Sequence, residues 1–212
     1  MIALKNKPVI VIGAGGHSSV LLDMLILEGR EIIGVTDLNK HSKEKIFGDF
    51  KIIGDDSEIF KYNKSEIELV NGIGPSTKNV LRKKISEKFS NHGYHFSKVI
   101  HPSVVFSKNT EFKSGCQIMA GVIIQSNVEI GKNTVINTGS ILDHDCHIYD
   151  NSHIAPGSIL CGSVKVYDNV FVGAGSVIIE NLTLEANSVL GAGVTLRRNL
   201  KNSEIYTGKL KT

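Results

Sequence analysis

The chain has 212 residues, a net charge of +3 and 41% hydrophobic residues, which suits one large or two small folded domains. Its Lys and Arg residues are scattered, so we do not expect the basic face of a nucleic-acid-binding protein. No apolar run approaches the ~18 residues of a membrane span. The first residues also lack the apolar core and cleavage site of a signal peptide. We therefore expect a cytoplasmic protein without nucleic-acid or membrane partners, and its three cysteines to be reduced thiols.

Residues 1–97 alternate between strand and helix patterns. The stretch "PVIVIGAGG" predicts a buried strand that enters a glycine turn, and "HSSVLLDMLILEGR" predicts a helix that ends near Gly29. "EIIGVTD" and "IELVNGIG" predict two further strands, and "STKNVLRKKISEKFSNHG" predicts a basic amphipathic helix. Such alternation is typical of a parallel sheet with helices packed on it. We expect a Rossmann-like α/β domain over residues 1–97.

Residues 98–212 follow a six-residue period. From residue 98 onward the chain can be divided into seventeen blocks of six residues. The third residue of each block, from Ile100 to Leu196, is large and apolar, and the sixth residue is Asn or Gly in fourteen of the seventeen blocks. A side chain buried at each sixth place suits a short strand on a narrow core, and Asn or Gly tolerates the positive φ of a sharp corner. An α-helix cannot keep this period, because its apolar stripe repeats at 3.6 residues. The pattern predicts a β-solenoid with Cys116 and Cys146 pointing into its core.

The glycine turn "GAGGHS" after the first predicted strand suits an anion. A glycine turn at the start of a helix presents backbone N–H groups to a phosphate. Asp37 follows the second strand, about where a ribose-binding acid would lie, but Ser18 stands where a dinucleotide fingerprint prefers Gly or Ala. A tight turn without a ligand is the alternative interpretation.

The stretch "NTGSILDHDCHI", residues 137–148, concentrates ionisable side chains inside the repeat. Leu142 should point into the core and His144 outward, beside the corner place occupied by Asp145. An Asp next to a His orients it and raises its basicity, as a general base near neutral pH requires. Two alternatives stay open: a solvated turn, and a catalytic zinc held by His144, His147 and His153.

These motifs together resemble one family. "GAGGH" and "GVTD" in the first part, with "NTGSILDHDCHI", "SHIAPGSILCGSVKV" and "VFVGAGSVI" in the repeat, resemble the NeuD/PglD/VioB-type sugar acetyltransferases of the hexapeptide-repeat superfamily. The resemblance covers nearly the whole chain. It implies that residues 1–97 bind a nucleotide sugar. It also implies that residues 98–212 form a left-handed parallel β-helix, shaped as a three-sided prism, that binds acetyl-CoA and carries catalysis. The protein would be a homotrimer, with active sites between the prisms of neighbouring subunits.

The resemblance further implies residue roles. His144 would be the general base, Asp145 the acid that supports it, and Asn137 a nearby catalytic residue. The remaining assignments are acetyl-CoA binding by His153, Ala174 and Ala192, and nucleotide-sugar binding by Gly15, Gly16, His17, Asp37 and Gly74. No resident metal is implied. Two stretches depart from the family pattern: Pro75-Ser76, and the C-terminus "IYTGKLKT", where the family ends in "GVPAK".

We therefore expect an acetyl-CoA-dependent N-acetyltransferase in bacterial surface-glycan synthesis. Its acceptor would be the 4-amino group of a nucleotide-linked deoxy-aminosugar, with UDP as the expected nucleotide. O-acetylation of a sialic or legionaminic acid-type sugar is the closest alternative. A zinc hydratase and a non-catalytic trimeric scaffold are the alternatives from other functional classes.

Overall fold

The computed structural model describes residues 7–38, 50–77 and 80–208. These residues form two compact units: the first runs to Gly74, resumes at Val80 and ends at Val99, and the second continues from Ile100. Each helix in the described ranges is too short for a membrane crossing.

The first unit is built on a four-stranded parallel sheet with the order β3-β2-β1-β4. Its elements are β1 (Val9–Ile12), α1 (Gly16–Leu27), β2 (Ile32–Thr36), β3 (Ile52–Gly54), a 3₁₀-helix (Asp56–Lys61), β4 (Glu68–Asn71) and α2 (Val80–Asn91). The three strands and two helices predicted from the sequence are present. β3 and the 3₁₀-helix were not predicted, because a three-residue strand shows no period in its sequence.

The core of the first unit surrounds β1. All four residues of this central strand are buried, as expected for a strand with neighbours on both sides. Of the apolar residues of α1, Leu21, Met24 and Leu25 are buried, whereas Val20 and Leu27 face solvent. The helix therefore packs on the sheet through one stripe of residues, and Val20 and Leu27 do not belong to the core.

The second unit is a parallel β-helix whose two-residue strands stack into three flat faces. Face 1 consists of Val105–Phe106, Ile123–Ile124, Ile141–Leu142, Ile159–Leu160, Val177–Ile178 and Thr195–Leu196. Face 2 consists of Glu111–Phe112, Glu129–Ile130, His147–Ile148, Lys165–Val166 and Thr183–Leu184. Face 3 consists of Val99–Ile100, Gln117–Ile118, Val135–Ile136, His153–Ile154, Phe171–Val172, Val189–Leu190 and Ile205–Tyr206. Residues eighteen apart therefore lie directly above one another, and the predicted fold class is confirmed.

The core of the β-helix comes from the predicted six-residue column. From Ile118 to Leu196 each of these side chains is buried, together with Cys116 and Cys146. At the start of the helix the prediction of burial is wrong: Phe106 is 48% exposed and Ile100 and Phe112 are half-buried. The strand of Phe106 lies at the end of face 1 and has a coil on one side only, so its ring packs edge-on against Phe112 instead.

The corners of the β-helix have the predicted backbone conformation. From Gly115 to Gly193 every sixth residue has φ between 56° and 71°, a region that Gly, Asn and Asp tolerate best. Buried serines beside the corners are hydrogen-bonded to the next coil. The hydroxyls of Ser140, Ser152 and Ser158 each donate to a backbone carbonyl fifteen residues later, so these three buried polar groups have partners.

The corner at Asn169 tests the role of positive φ. We expect Asn169→Ala to destabilise the protein by about 1 kcal/mol, because Ala lacks the short polar side chain that lets Asn tolerate this φ of 58°. Asn169→Gly removes the same amide bond to Asn187 but permits the conformation. Urea unfolding of the two variants isolates the backbone contribution, and equal midpoints would contradict it.

Candidate active site

His144 and Asp145 form a hydrogen-bonded pair at the edge where face 1 turns into face 2. The strand Ile141–Leu142 precedes this corner and His147–Ile148 follows it. Nδ1 of His144 lies 2.8 Å from Oδ2 of Asp145, and the backbone N–H of His144 donates to Oδ1 of Asp143. Asp145 has the φ of 61° that the corner requires. A carboxylate on Nδ1 favours the tautomer in which Nε2 has a lone pair.

The charges around this pair favour a basic imidazole. The hydrogen bond that His144 donates to Asp145 is the largest cause that raises the pKa of His144 above its ordinary value, followed by the negative charge of Asp143. Hydrogen bonds from His144 and from Asn127 lower the pKa of Asp145, so its carboxylate stays ionised. Both side chains are about half exposed, so Nε2 can be reached from outside. The arrangement can accept a proton from an incoming group near neutral pH.

Glycine on the next coil leaves room for the imidazole. Gly162 lies eighteen residues after His144, and a Cβ built on it would lie 2.7 Å from Cε1 and 2.8 Å from Nε2 of His144. The ring of His144 therefore lies over the backbone of Gly162. Ser126, eighteen residues before His144, is also small. The distances show that Gly162 is a steric requirement for the observed ring position.

Asn137 and His153 form a second polar pair, at the edge between face 3 and face 1. Nδ2 of Asn137 lies 3.3 Å from Nε2 of His153. The His153 ring is buried and contacts Phe171 edge-on at a centroid distance of 5.0 Å. Asn137 was predicted to lie near His144. Within one chain the strand Ile141–Leu142 separates them, so Asn137 is grouped with His153 instead.

The predicted acetyl-CoA residues share this second edge. Ala174 and Ala192 are exposed. They lie in the same column of the β-helix as Thr138, the residue that follows Asn137. A Cβ on Gly173 would lie 2.4 Å from the backbone N of Ala192, so the backbones of these two coils pack closely here and no larger residue fits. His147, by contrast, lies on face 2, where Nδ1 is 3.7 Å from Oε2 of Glu129. The three histidines of this coil thus lie at three different places, and the described residues hold no group of three metal-binding side chains.

The glycine turn of the first unit has the geometry of an anion site. Helix α1 begins at Gly16, its N-cap Gly15 has no side-chain capping bond, and a Cβ on either glycine would touch nothing within 4 Å. The hydroxyl of Ser18 donates to the backbone O of Gly13 and also lies 3.1 Å from the O of Gly72. Ser18 therefore links the turns after β1 and β4. Its departure from the dinucleotide fingerprint thus has a structural role that the sequence did not indicate.

The other predicted nucleotide-sugar residues lie near this turn. Asp37 follows β2 and Gly74 follows β4, so both are at the carboxyl ends of parallel strands, as α/β ligand sites are. A Cβ on Gly74 would lie 3.5 Å from Cβ of His17. Arg82 was not predicted: it is buried and donates to the carbonyls of Asn71 and Ile73, which supports the loop before Gly74. Burial lowers the pKa of Arg82 to about 9.

Comparisons with known proteins give the family. Residues 8–89 match the PglD N-terminal domain, and residues 109–144 match the bacterial transferase hexapeptide model with six repeats. A solved structure of PerB from Caulobacter crescentus, in complex with CoA and GDP-perosamine, is 32% identical with a TM-score of 0.84. The alignment covers 93% of this chain and 92% of that one. The chain belongs to the hexapeptide-repeat sugar acetyltransferases. Two variants of the Caulobacter protein with one histidine substituted, described as a perosamine N-acetyltransferase, align equally well.

More distant solved structures share the fold. The acetyltransferase domain of PglB from Neisseria gonorrhoeae FA1090, in complex with acetyl coenzyme A, is 22% identical with a TM-score of 0.85, covering 94% of this chain and 95% of that one. WeeI from Acinetobacter baumannii AYE is 18% identical with a TM-score of 0.83, covering 93% and 95% of the two chains. A comparison with curated protein sequences gave no match.

The cysteines of this acetyltransferase are poorly suited to carry an acyl group. Cys116 and Cys146 are buried in the core as predicted, and burial raises the pKa of the Cys146 thiol to about 11. Burial also raises the pKa of Cys161. A thiol must ionise to act as a nucleophile. The C-terminal residues 209–212, whose sequence departs from the family ending, lie outside the described residues.

Gly162→Ala tests the steric requirement at His144. The added methyl group should displace the imidazole and break its hydrogen bond to Asp145. The pKa of His144 should then fall toward that of a histidine without a carboxylate partner. NMR titration of the histidine ring signals measures this change. Ser126→Ala, on the coil below, should leave the titration of His144 unchanged. An unaltered His144 pKa in Gly162→Ala would show that the methyl group is accommodated without moving the ring.

Proposed function

We propose that this acetyltransferase transfers acetyl from acetyl-CoA to the amino group of a nucleotide-linked deoxy-aminosugar, with His144 as general base. The observation that carries the proposal is the bond between Nδ1 of His144 and Oδ2 of Asp145 at 2.8 Å. It leaves Nε2 as the proton acceptor on an exposed edge. The relative that is 32% identical was solved with CoA and GDP-perosamine, which supports both substrate classes.

The proposed reaction is a direct transfer. The sugar amine attacks the thioester carbonyl carbon of acetyl-CoA while Nε2 of His144 takes the amine proton. As the tetrahedral intermediate collapses, the carbon–sulfur bond breaks, and the leaving CoA thiolate takes the proton back from the imidazolium. Asp145, which stays ionised, stabilises the imidazolium between these steps. General-base catalysis of this kind contributes about 10²- to 10⁴-fold, and positioning of the two substrates supplies the rest.

The acceptor is proposed to bind through its nucleotide. The backbone N–H groups of Gly15 and Gly16, at the start of α1, would bind the diphosphate, with His17, Asp37 and Gly74 close to the sugar and ribose. The relative is described as a perosamine N-acetyltransferase and was solved with GDP-perosamine, which supports an amino group as the acceptor. That relative has GDP in place of the UDP expected from the sequence, so both nucleotides must be tested.

Acetyl-CoA is proposed to lie along the edge between face 3 and face 1. Asn137 and His153 provide hydrogen-bonding side chains there, and the exposed Ala174 and Ala192 leave the backbone of successive coils open to a long flexible chain. The pantetheine arm of CoA, with its two amide groups, matches such a polar backbone edge.

A homotrimer would bring the two edges together. The outward side chains of face 1 form an apolar column that includes Val105, 64% exposed, and Ile123, 37% exposed, followed by half-buried Ile141, Ile159 and Val177. Three prisms that turn face 1 toward a common axis bury this column. Each edge with His144 then meets the neighbour's edge with His153, which accounts for an active site between protomers.

The function is tested by following CoA release with a panel of acceptors. We expect transfer to a GDP- or UDP-linked 4-amino-deoxysugar, and a 10²- to 10⁴-fold lower kcat/KM in His144→Ala. His92→Ala, in the first unit, is the matched histidine control and should keep full activity. Transfer only to a free or CMP-linked sialic or legionaminic acid-type sugar would contradict the proposed N-acetylation and favour O-acetylation. Full activity of His144→Ala would exclude the proposed base.

Ile123→Asp tests the proposed trimer. A carboxylate in the column would place three like charges near the axis, at a cost that an apolar interface cannot offset. Sedimentation should give a monomer without acetyltransferase activity, because each site needs two protomers. Thr183→Asp adds the same charge to face 2 and should leave a trimer. A trimeric Ile123→Asp would show that face 1 is not the interface.

A further inference from the structure

Asn127 occupies the corner directly beneath Asp145. The two residues are eighteen apart, and each has the positive φ of its corner, 59° and 61°. Nδ2 of Asn127 donates to Oδ1 of Asp145 at 3.1 Å, while Oδ2 of the same carboxylate faces Nδ1 of His144 at 2.8 Å. The carboxylate is therefore held at both oxygens, from the coil below on one side and by the imidazole on the other.

We propose that Asn127 is a positioning residue that orients the Asp145 carboxylate so that its second oxygen faces His144. The inference rests on the proposed role of His144 as general base. A carboxylate held at one oxygen can rotate about its terminal bond. An amide fixed to the coil beneath restricts this rotation and keeps Oδ2 in the direction of Nδ1. Asn127 touches neither substrate in this scheme and acts only through Asp145.

The chemistry of Asn at this position fits the role. An amide N–H donates to a carboxylate without bringing a charge, so it stabilises the ionised form of Asp145 and does not neutralise it. A lysine or arginine here would instead compete with His144 for the negative charge. Consistent with this, the hydrogen bond from Asn127 lowers the pKa of Asp145.

A purely structural role is the rival explanation. Elsewhere in the β-helix, Asn133 donates to Asn151 at 3.4 Å and Asn169 donates to Asn187 at 3.3 Å, in both cases across eighteen residues. The bond from Asn127 to Asp145 repeats this pattern at the corner that carries His144. Asn133 has a φ of 56° and therefore provides a control that shares the backbone and the amide but lies at a different corner.

The test compares Asn127→Gly with Asn133→Gly. Glycine permits the corner conformation, so both variants should fold and lose similar thermal stability. In Asn127→Gly alone, NMR titration should show a lower His144 pKa, because the disoriented carboxylate binds the imidazolium less well. The acid limb of the kcat/KM–pH profile should move to lower pH with it, since His144 must be neutral to act as a base. The plateau should fall roughly tenfold, less than on loss of His144 itself.

The outcomes separate the two proposals. An unchanged His144 titration in Asn127→Gly, or an equal change in Asn133→Gly, would reduce Asn127 to a structural corner residue. A lowered His144 pKa in an enzyme that acetylates no aminosugar would keep the positioning role and refute the proposed function. If Asn127→Gly does not fold, Asn127→Ser serves as the second variant, because serine already occupies this conformation at Ser163, with φ 61°.

Discussion

The site depends on a backbone constraint: from Gly115 to Gly193 the chain turns a corner with positive φ at every sixth residue. Three such corners complete a coil, so each residue lies above the one eighteen places earlier. Side chains at the corners thereby acquire neighbours from the coils below and above, at separations set by the strand spacing of ~4.8 Å. The surroundings of His144 follow from this stacking, with Asn127 beneath Asp145 and Gly162 above His144.

Asp145 meets two requirements with one side chain. As a corner residue it must tolerate φ of 61°, and as the partner of His144 it must carry a negative charge. Asp satisfies both, whereas Asn or Gly, which fill most other corners, satisfies only the first. Because the corner is fixed by hydrogen bonds to adjacent coils, the carboxylate is placed on a rigid element and the imidazole is oriented before any substrate arrives.

In the proposed reaction the two polar edges of the β-helix would divide the work of catalysis. One edge holds His144, the proposed proton acceptor, and the other holds the Asn137–His153 pair and the exposed Ala174 and Ala192. A single prism keeps these edges on either side of the apolar face 1. The same apolar column that favours association would therefore also complete the reaction site. Trimerisation and catalysis would then depend on one surface.

The sequence by itself determined the elements that repeat at short range. Its six-residue period predicted the core column from Ile118 onward and the corner residues. The adjacent His144 and Asp145 were predicted as a pair, since a one-residue separation leaves little for the fold to decide. Tertiary structure decided the partners that are distant in sequence. Asn127, Gly162 and the link from Ser18 to Gly72 join residues 18 to 54 positions apart, and their sequence context resembles that of ordinary turn residues. The exposure of Phe106 and the grouping of Asn137 with His153 were also decided by the fold, because both depend on which coil or edge lies beside the residue in space.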